Sequence, residues 1–333
     1  MRIALIGYGN VGRAFARLLE RERPRYPFPI VGIHTARHGT AIDPEGLPLE
    51  PKFGPAASSV EDFLDQAECD AVAEITTLNP DTGEPALSHI RAAFGRRRHV
   101  ITANKGPIAH AYAALREEAQ AAGVELRFEP AVMDGAPVFN MVRKNLPAVK
   151  VLGFTGVLNS TSKVVIAAMR EGKTREQGIE TARRLGITEA DPSYDLDGWD
   201  SAAKTAALAN VLMDARVTPR HVEREGIGAF SAERVRGLAA SGKTVCLISR
   251  GETTSDGVRL SVRPEILEDT DLLATVQGTS NLILLHTDLM GTVGTLSIAP
   301  GVDQTAYGLF SDLVDIFEMS PGRKTMDAHK TSL

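Results

Sequence analysis

Three features of the 333-residue sequence predict an α/β chain: an apolar strand that runs into a glycine-rich turn, short apolar runs alternating with helical patterns up to residue 136, and the loss of that alternation beyond it. Strands and helices in strict alternation indicate βαβ units on a parallel sheet, whereas mixed runs indicate an α+β arrangement. The chain is also longer than one domain usually is. The expected architecture is a Rossmann-type dinucleotide-binding domain over 1–136 and an α+β domain over 137–300. A helix over 301–318 would return to the first domain, ahead of a polar tail over 319–333.

The first strand covers 3–6 and leads into Gly7-Tyr-Gly9-Asn10-Val11-Gly12. In this spacing Gly7 permits the tight turn, Gly9 lets the backbone approach a pyrophosphate, and Gly12 lets the next helix pack on the strand. That helix, over 11–23, shows apolar residues at Val11, Phe15, Leu18 and Leu19. Its free N–H groups and dipole face the phosphates. The second strand, 30–33, is followed by His34-Thr-Ala-Arg37-His38, with no carboxylate to bind a ribose 2′-hydroxyl. Arg37 suits a 2′-phosphate instead, so NADP is expected over NAD.

Residues 39–55, rich in Gly and Pro, read as a loop beside the cofactor mouth. Helices over 59–66, 85–94 and 110–122 then alternate with strands over 71–75, 99–102 and 124–129. Thr102-Ala103-Asn-Lys105-Gly106-Pro107 lies at the carboxyl edge of the sheet, where such folds bind ligands. Lys105 reads equally as a substrate-positioning cation or proton donor, or as a surface lysine.

In the second half, strands are expected over 151–155, 244–249, 258–262 and 281–286, and helices over 160–171, 174–185, 201–212 and 305–317. Between two of these helices Glu189, Asp191, Asp195, Asp197 and Asp200 crowd a segment broken by Pro192 and Gly198. Asp200 is placed to cap the next helix, with Lys204 one turn on at i, i+4. Trp199 and the alanine-rich run 202–209 make that helix a buried one. A lysine half-buried beside carboxylates can serve as a general acid or base. The acids lack the spacing of a calcium loop.

The composition sets limits. A net charge of −5 gives no electrostatic footprint for nucleic acid. No apolar run reaches the ~18 residues of a membrane span, and no leader pattern precedes the first strand. The two cysteines, Cys69 and Cys246, read as buried free thiols. A cytoplasmic globular protein acting on a small molecule is expected.

The ordered set Gly7–Gly12, Thr102–Gly106, Gly156-Val-Leu-Asn159-Ser160-Thr161 and Gly186-Ile-Thr-Glu189-Ala-Asp191-Pro192, continuing to Lys204, resembles homoserine dehydrogenase over nearly the whole chain. Gly83-Glu84-Pro85-Ala86 resembles the family's short forms. The resemblance implies NAD(P)-dependent interconversion of L-homoserine and L-aspartate 4-semialdehyde, with the second domain both catalytic and dimer-forming. By position it makes Lys204 the proton donor and acceptor, with Lys105 and Asp200 as the other catalytic residues. Glu189, Asp195, Asn159 and Thr161 would bind substrate. Gly7, Gly9, Asn10, Val11, Gly12, Arg37, Thr76, Thr77, Ala103, Lys105 and Gly301 would bind the cofactor. Glu129 and the carbonyls of Val132, Asp134 and Ala136 resemble a sodium loop, although the family usually has a small residue where Asp134 stands. The segment around Gly301 keeps that glycine but departs from the family pattern on either side. No regulatory domain is expected after the catalytic part. A dehydrogenase of another small amino or hydroxy acid, or a silent NADP-binding regulator, is the alternative.

Overall fold

The computed structural model describes residues 1–188 and 191–319. Glu189 and the tail beyond Met319 therefore lie outside the described residues. The first half contains β1 (Ile3–Ile6), α1 (Asn10–Glu22), β2 (Ile30–Thr35), β3 (Gly39–Ile42), α2 (Val60–Ala67), β4 (Ala71–Glu74), α3 (Ala86–Gly95), β5 (His99–Thr102), α4 (Lys105–Ala122), β6 (Leu126–Arg127) and α5 (Pro130–Met133). The second half contains β7 (Val151–Val157), α6 (Ser160–Arg170), α7 (Arg175–Arg184), α8 (Ser193–Leu196), α9 (Trp199–Leu212), β8 (Glu223–Arg224), α10 (Ala232–Ala240), β9 (Lys243–Thr254), β10 (Gly257–Glu268), β11 (Asn281–Thr287), β12 (Thr292–Ser297) and α11 (Val302–Met319).

The first sheet has the order β3-β2-β1-β4-β5-β6, parallel except where β3 runs back along β2. The order reverses between β1 and β4, and in open α/β sheets ligands bind at the carboxyl ends of the strands flanking that point. Strands buried on both faces read as unbroken apolar runs, which is why Ile3–Ile6 is wholly buried. α11 packs against α1 on one face of this sheet, with Phe15, Leu19, Leu309 and Leu313 in a shared core.

The second sheet has the order β12-β11-β7-β9-β10-β8 and is antiparallel except for the short β8–β10 pair. Helices α6, α9 and α10 pack against its strands β9 and β10. α9 also lies along α4, so its alanines belong to the same core as Ile108 and Leu115.

Several expectations are corrected. The segment 39–55 is not all loop: Gly39, at φ +88°, turns the chain back and β3 pairs with β2. α4 starts at Lys105 rather than 110 because Asn104 caps it, accepting from the Gly106 N–H at 3.0 Å. Pro107 is no obstacle there, since a first-turn residue has no intrahelical acceptor for its N–H. Asp200 does not cap α9; Gly198, at φ +84°, occupies the cap and Asp200 sits in the first turn. The expected strand over 124–129 shrinks to the two residues of β6, and α10 and β12 are additional elements.

Candidate active site

The cofactor cleft forms where β1 and β4 end. Gly7 has φ +101°, and a Cβ there would stand 2.5 Å from the Ile75 carbonyl oxygen. Gly9 precedes α1, and a Cβ on it would meet nothing within 4 Å. Lacking a side chain, Gly9 caps no N–H of α1, which leaves the helix N-terminus for an anion. At Gly12 a Cβ would stand 3.2 Å from the Gly7 oxygen, so this glycine sets the close fit of helix on turn. The cavity, about 510 Å³, is lined by Gly7, Gly9, Arg37, Thr76, Thr77 and His89 among others. Arg37 is exposed at the β2–β3 turn and makes no ion pair among the described residues. Asn10 and Val11 open α1 beside this cavity. Ala103 follows β5, and Gly301 lies at the head of α11, where its N–H donates to Gln304.

The acid–lysine cluster joins the two halves. Asp200 Oδ2 lies 3.2 Å from Lys204 Nζ and its Oδ1 lies 3.2 Å from Lys105 Nζ. All three side chains are between 13% and 17% exposed, enough to desolvate the charges while leaving an approach. A carboxylate in the first turn of α9 is favoured by the helix dipole, whereas a lysine at the start of α4 is disfavoured. Lys105 is held there by Asp200 rather than by helix electrostatics. Burial works to protonate Asp200, but Lys204 and Lys105 outweigh it and hold its carboxyl well below the usual carboxylate range. Burial works to neutralise Lys204; Asp200 and then Asp134 reverse that and raise its proton affinity. Lys204 Nζ also donates to the Leu158 carbonyl at 2.6 Å. A lysine ammonium has three donors, so one N–H remains.

Asn159 caps α6, and its Nδ2 donates to Asp195 at 2.8 Å and to Asp200 at 3.2 Å. Thr161 and Thr188 donate to the other Asp195 oxygen at 2.9 and 3.0 Å. Burial, then the neighbouring Asp200 charge, pushes the Asp195 carboxyl up despite these donors. Asn159 and Thr161 thus spend these hydrogen bonds on the acids, orienting them from behind. Glu189 lies outside the described residues.

Glu129 is 4% exposed, and its carboxylate accepts from the main-chain N–H groups of Val138, Phe139 and Asn140 at 2.6 to 2.9 Å. Its own N–H donates to the buried Asp312. Val132 is buried in α5, while Asp134, at φ +54°, ends it and accepts from Asn281 at 3.3 Å. Ala136 N–H returns to Met133 O, which closes the turn.

Three contributors escape a reading of the residues alone. Glu74, fully buried at the end of β4, accepts from Thr76 N at 3.2 Å and from Thr102 Oγ1 at 3.3 Å. An acid ending an otherwise apolar strand was its only signal. Asn104 Nδ2 reaches Thr76 O at 3.3 Å, tying the β4 and β5 loops together. His34, stacked on Phe63, faces the cleft with its proton affinity lowered by burial and by His89.

Two family profiles match the chain: homoserine dehydrogenase over 137–314, and the homoserine dehydrogenase NAD-binding domain over 7–129. A homoserine dehydrogenase of Methanocaldococcus jannaschii is 34% identical, covering 95% of this chain and 98% of its own. An NAD(+)-dependent homoserine dehydrogenase of Pseudomonas canavaninivorans is 33% identical over 95% of this chain and 96% of its own. A hyperthermophilic archaeal homoserine dehydrogenase solved in complex with NADPH superposes with a TM-score of 0.80 at 26% identity, over 96% of this chain and 98% of that one. With both halves matched and full-length relatives covered, the chain belongs to the homoserine dehydrogenase family of NAD(P)-dependent oxidoreductases.

Proposed function

We propose that Lys204 is the acid–base group in the reversible oxidation of L-homoserine to L-aspartate 4-semialdehyde. The observation that carries this is its ion pair with Asp200, shared with Lys105 from the other half of the chain. A nicotinamide bound in the cleft would supply or take the hydride at the carbon that bears the substrate oxygen. Lys204 has one N–H to offer that oxygen, and as a shielded cation it stabilises the developing alkoxide and hands it the proton. In the oxidative direction Lys204 must first lose that proton, so oxidation gains as pH rises toward its elevated pKa. Lys105 shares the Asp200 charge and presents a second cation to the substrate. Asp195, fixed by Asn159, Thr161 and Thr188, is linked to Asp200 by the two hydrogen bonds of the Asn159 amide. Glu189 completes the substrate set by its place in the motif.

The open approach at Gly9, the bare α1 N-terminus and the cavity beside Thr76 and Thr77 fit a dinucleotide. Gly12, Asn10, Val11 and Ala103 shape that site, and Gly301 is its more distant member. Arg37, exposed at the β2–β3 turn and without an ion pair among the described residues, favours NADP over NAD.

A sodium ion would be held by Glu129 with the carbonyls of Val132, Asp134 and Ala136; the carboxylate is buried among main-chain donors, with Arg143 the cation that acts on it. It enters no step, and thermal unfolding in sodium against a bulky organic cation tests it. The chain is proposed to act as a cytoplasmic homodimer, formed through the face of the second sheet opposite α6 and α9.

A spectrophotometric assay at 340 nm with homoserine and each nicotinamide cofactor tests the reading. Lys204→Ala should lower kcat by about 100-fold or more with the fold intact, the range of general acid–base contributions. Near-normal turnover by that variant overturns the assignment. Faster turnover with NAD than with NADP overturns the reading of Arg37.

A further inference from the structure

The hydroxyl of Tyr194 has no use in the site as described. It lies in α8, its oxygen is sealed from solvent, and it finds no hydrogen-bond partner among the described residues. A buried hydroxyl without a partner has lost its hydration with nothing in return, and each such group in a native structure calls for an explanation. A phenylalanine would fill the same space without that cost. The charges that act on the phenol come from both halves of the chain: Asp200 and Asp195 beside it, and Asp81 from the loop between β4 and α3. Burial first, and then these three acids, keep the phenol protonated.

A neutral oxygen with free lone pairs among carboxylates suits a cation carrying several N–H donors. A carboxylate would meet Asp81 and Asp195, which no lysine pairs among the described residues, and an apolar group would leave the hydroxyl as it is. We infer that Tyr194 is a specificity-determining residue, its phenol oxygen receiving the ammonium group of the amino-acid substrate. This rests on placing the reacting centre at Lys204 and Asp200. The hydroxyl is then a group desolvated in the free protein and satisfied in the complex, which rewards only ligands that bring the ammonium.

The test is Tyr194→Phe in the full-length protein. The expected result is a KM for homoserine raised about tenfold or more, the size of one hydrogen bond to a charged group. The dissociation constant of the cofactor should not change. The inhibition constant of 4-hydroxybutanoate, the analogue without the amino group, should be the same in both proteins. Because the orphan hydroxyl is gone, the Tm of the free variant should equal or exceed that of the parent. An unchanged KM overturns the inference. So does a KM effect matched by an equal loss of 4-hydroxybutanoate affinity, or a fall in Tm of several degrees with KM unmoved, either of which marks a packing role. If Lys204→Ala turns over normally, the site reading itself fails, whatever Tyr194→Phe does. If Lys204→Ala is inactive and Tyr194→Phe leaves KM fixed, only the present inference fails.

Discussion

At the scale of single residues, the proposed chemistry turns on one carboxylate that serves two lysines. Asp200 sits 3.2 Å from each ammonium, and Asn159 steadies it from the third side. Asp200→Asn keeps the shape and removes the charge, so two part-buried cations face each other with nothing between them. Breaking a buried pair by removing one partner costs about 3–5 kcal/mol, and the lower end is expected here because the cluster is not fully sealed. The pH dependence has a definite sign. Asp200 is depressed in the folded state, so its contribution is full above the unfolded carboxyl value of about 3.9 and is lost as pH falls toward the folded one. The Tm gap between parent and Asp200→Asn should therefore be wide at pH 7 and narrow below pH ~4. In the same variant Lys204 loses the charge that raises it, so the alkaline limb of the kcat profile should move to lower pH. A Tm gap independent of pH, or an alkaline limb that stays in place, would show that Asp200 does not tune Lys204.

At the scale of elements, the glycine turn separates a folding role from a binding role. Gly7 is strained by any side chain: φ is +101° and the Cβ would press on main chain at Ile75. Gly9 meets nothing, so no packing requires its bare backbone. Gly7→Ala should lower Tm by several degrees, since strain and a backbone clash together are worth about 1–3 kcal/mol in a chain of this kind. Gly9→Ala should leave Tm within about a degree yet weaken cofactor binding tenfold or more, because a methyl group stands where the pyrophosphate approaches. Thermal unfolding and fluorescence titration of the cofactor read the two effects, and a Gly9→Ala protein that binds normally would move the phosphate site elsewhere.

The same contrast explains what the sequence made legible. β1, β4 and β5 stand out because a strand buried on both faces is an apolar run with no exposed position. β12 does not, since every second residue of this edge strand is exposed and glycine stands within it. α10 buries only Val235, too little to mark a helical stripe. In the site, Lys105, Lys204 and Asp200 were visible because charged residues in alanine- and glycine-rich surroundings are conspicuous. Their convergence was not, since 95 residues separate Lys105 from Asp200 and only the packing of α4 on α9 brings them together. Asn210 shows the device that fixes this packing. α4 kinks at Ala111, and Asn210 of α9 donates to the carbonyls of Ile108 and Ala109 in the preceding turn, at 3.1 and 3.2 Å.

At the scale of the whole molecule, the second sheet is covered unequally. Phe154, Leu247, Leu260, Val262 and Ile283 face the helices and belong to the main core. The opposite face carries a smaller cluster around Val157, Ile248 and Leu282, partly covered by Leu273 and Val276. Beyond that cover lie Leu284, half-buried, and Leu296, 53% exposed, with Ile298 following at 76%. Polar residues frame these leucines: Arg250 pairs with Glu265 at 2.8 Å, and His286 bonds Thr155 at 3.1 Å. Apolar side chains inside a ring of fixed polar groups are how a subunit interface is built, and a two-fold axis through the sheet would set each leucine patch against its copy. Leu296→Asp tests this without touching the helix-facing core. The parent should sediment as a dimer at micromolar concentration, and the variant, with two carboxylates brought face to face across the axis, should sediment as a monomer. The lysines of the proposed site lie on the helix side of the sheet, so the variant should still bind cofactor. A parent that sediments as a monomer, or a Leu296→Asp dimer of unchanged strength, would place the contact on another face of the molecule.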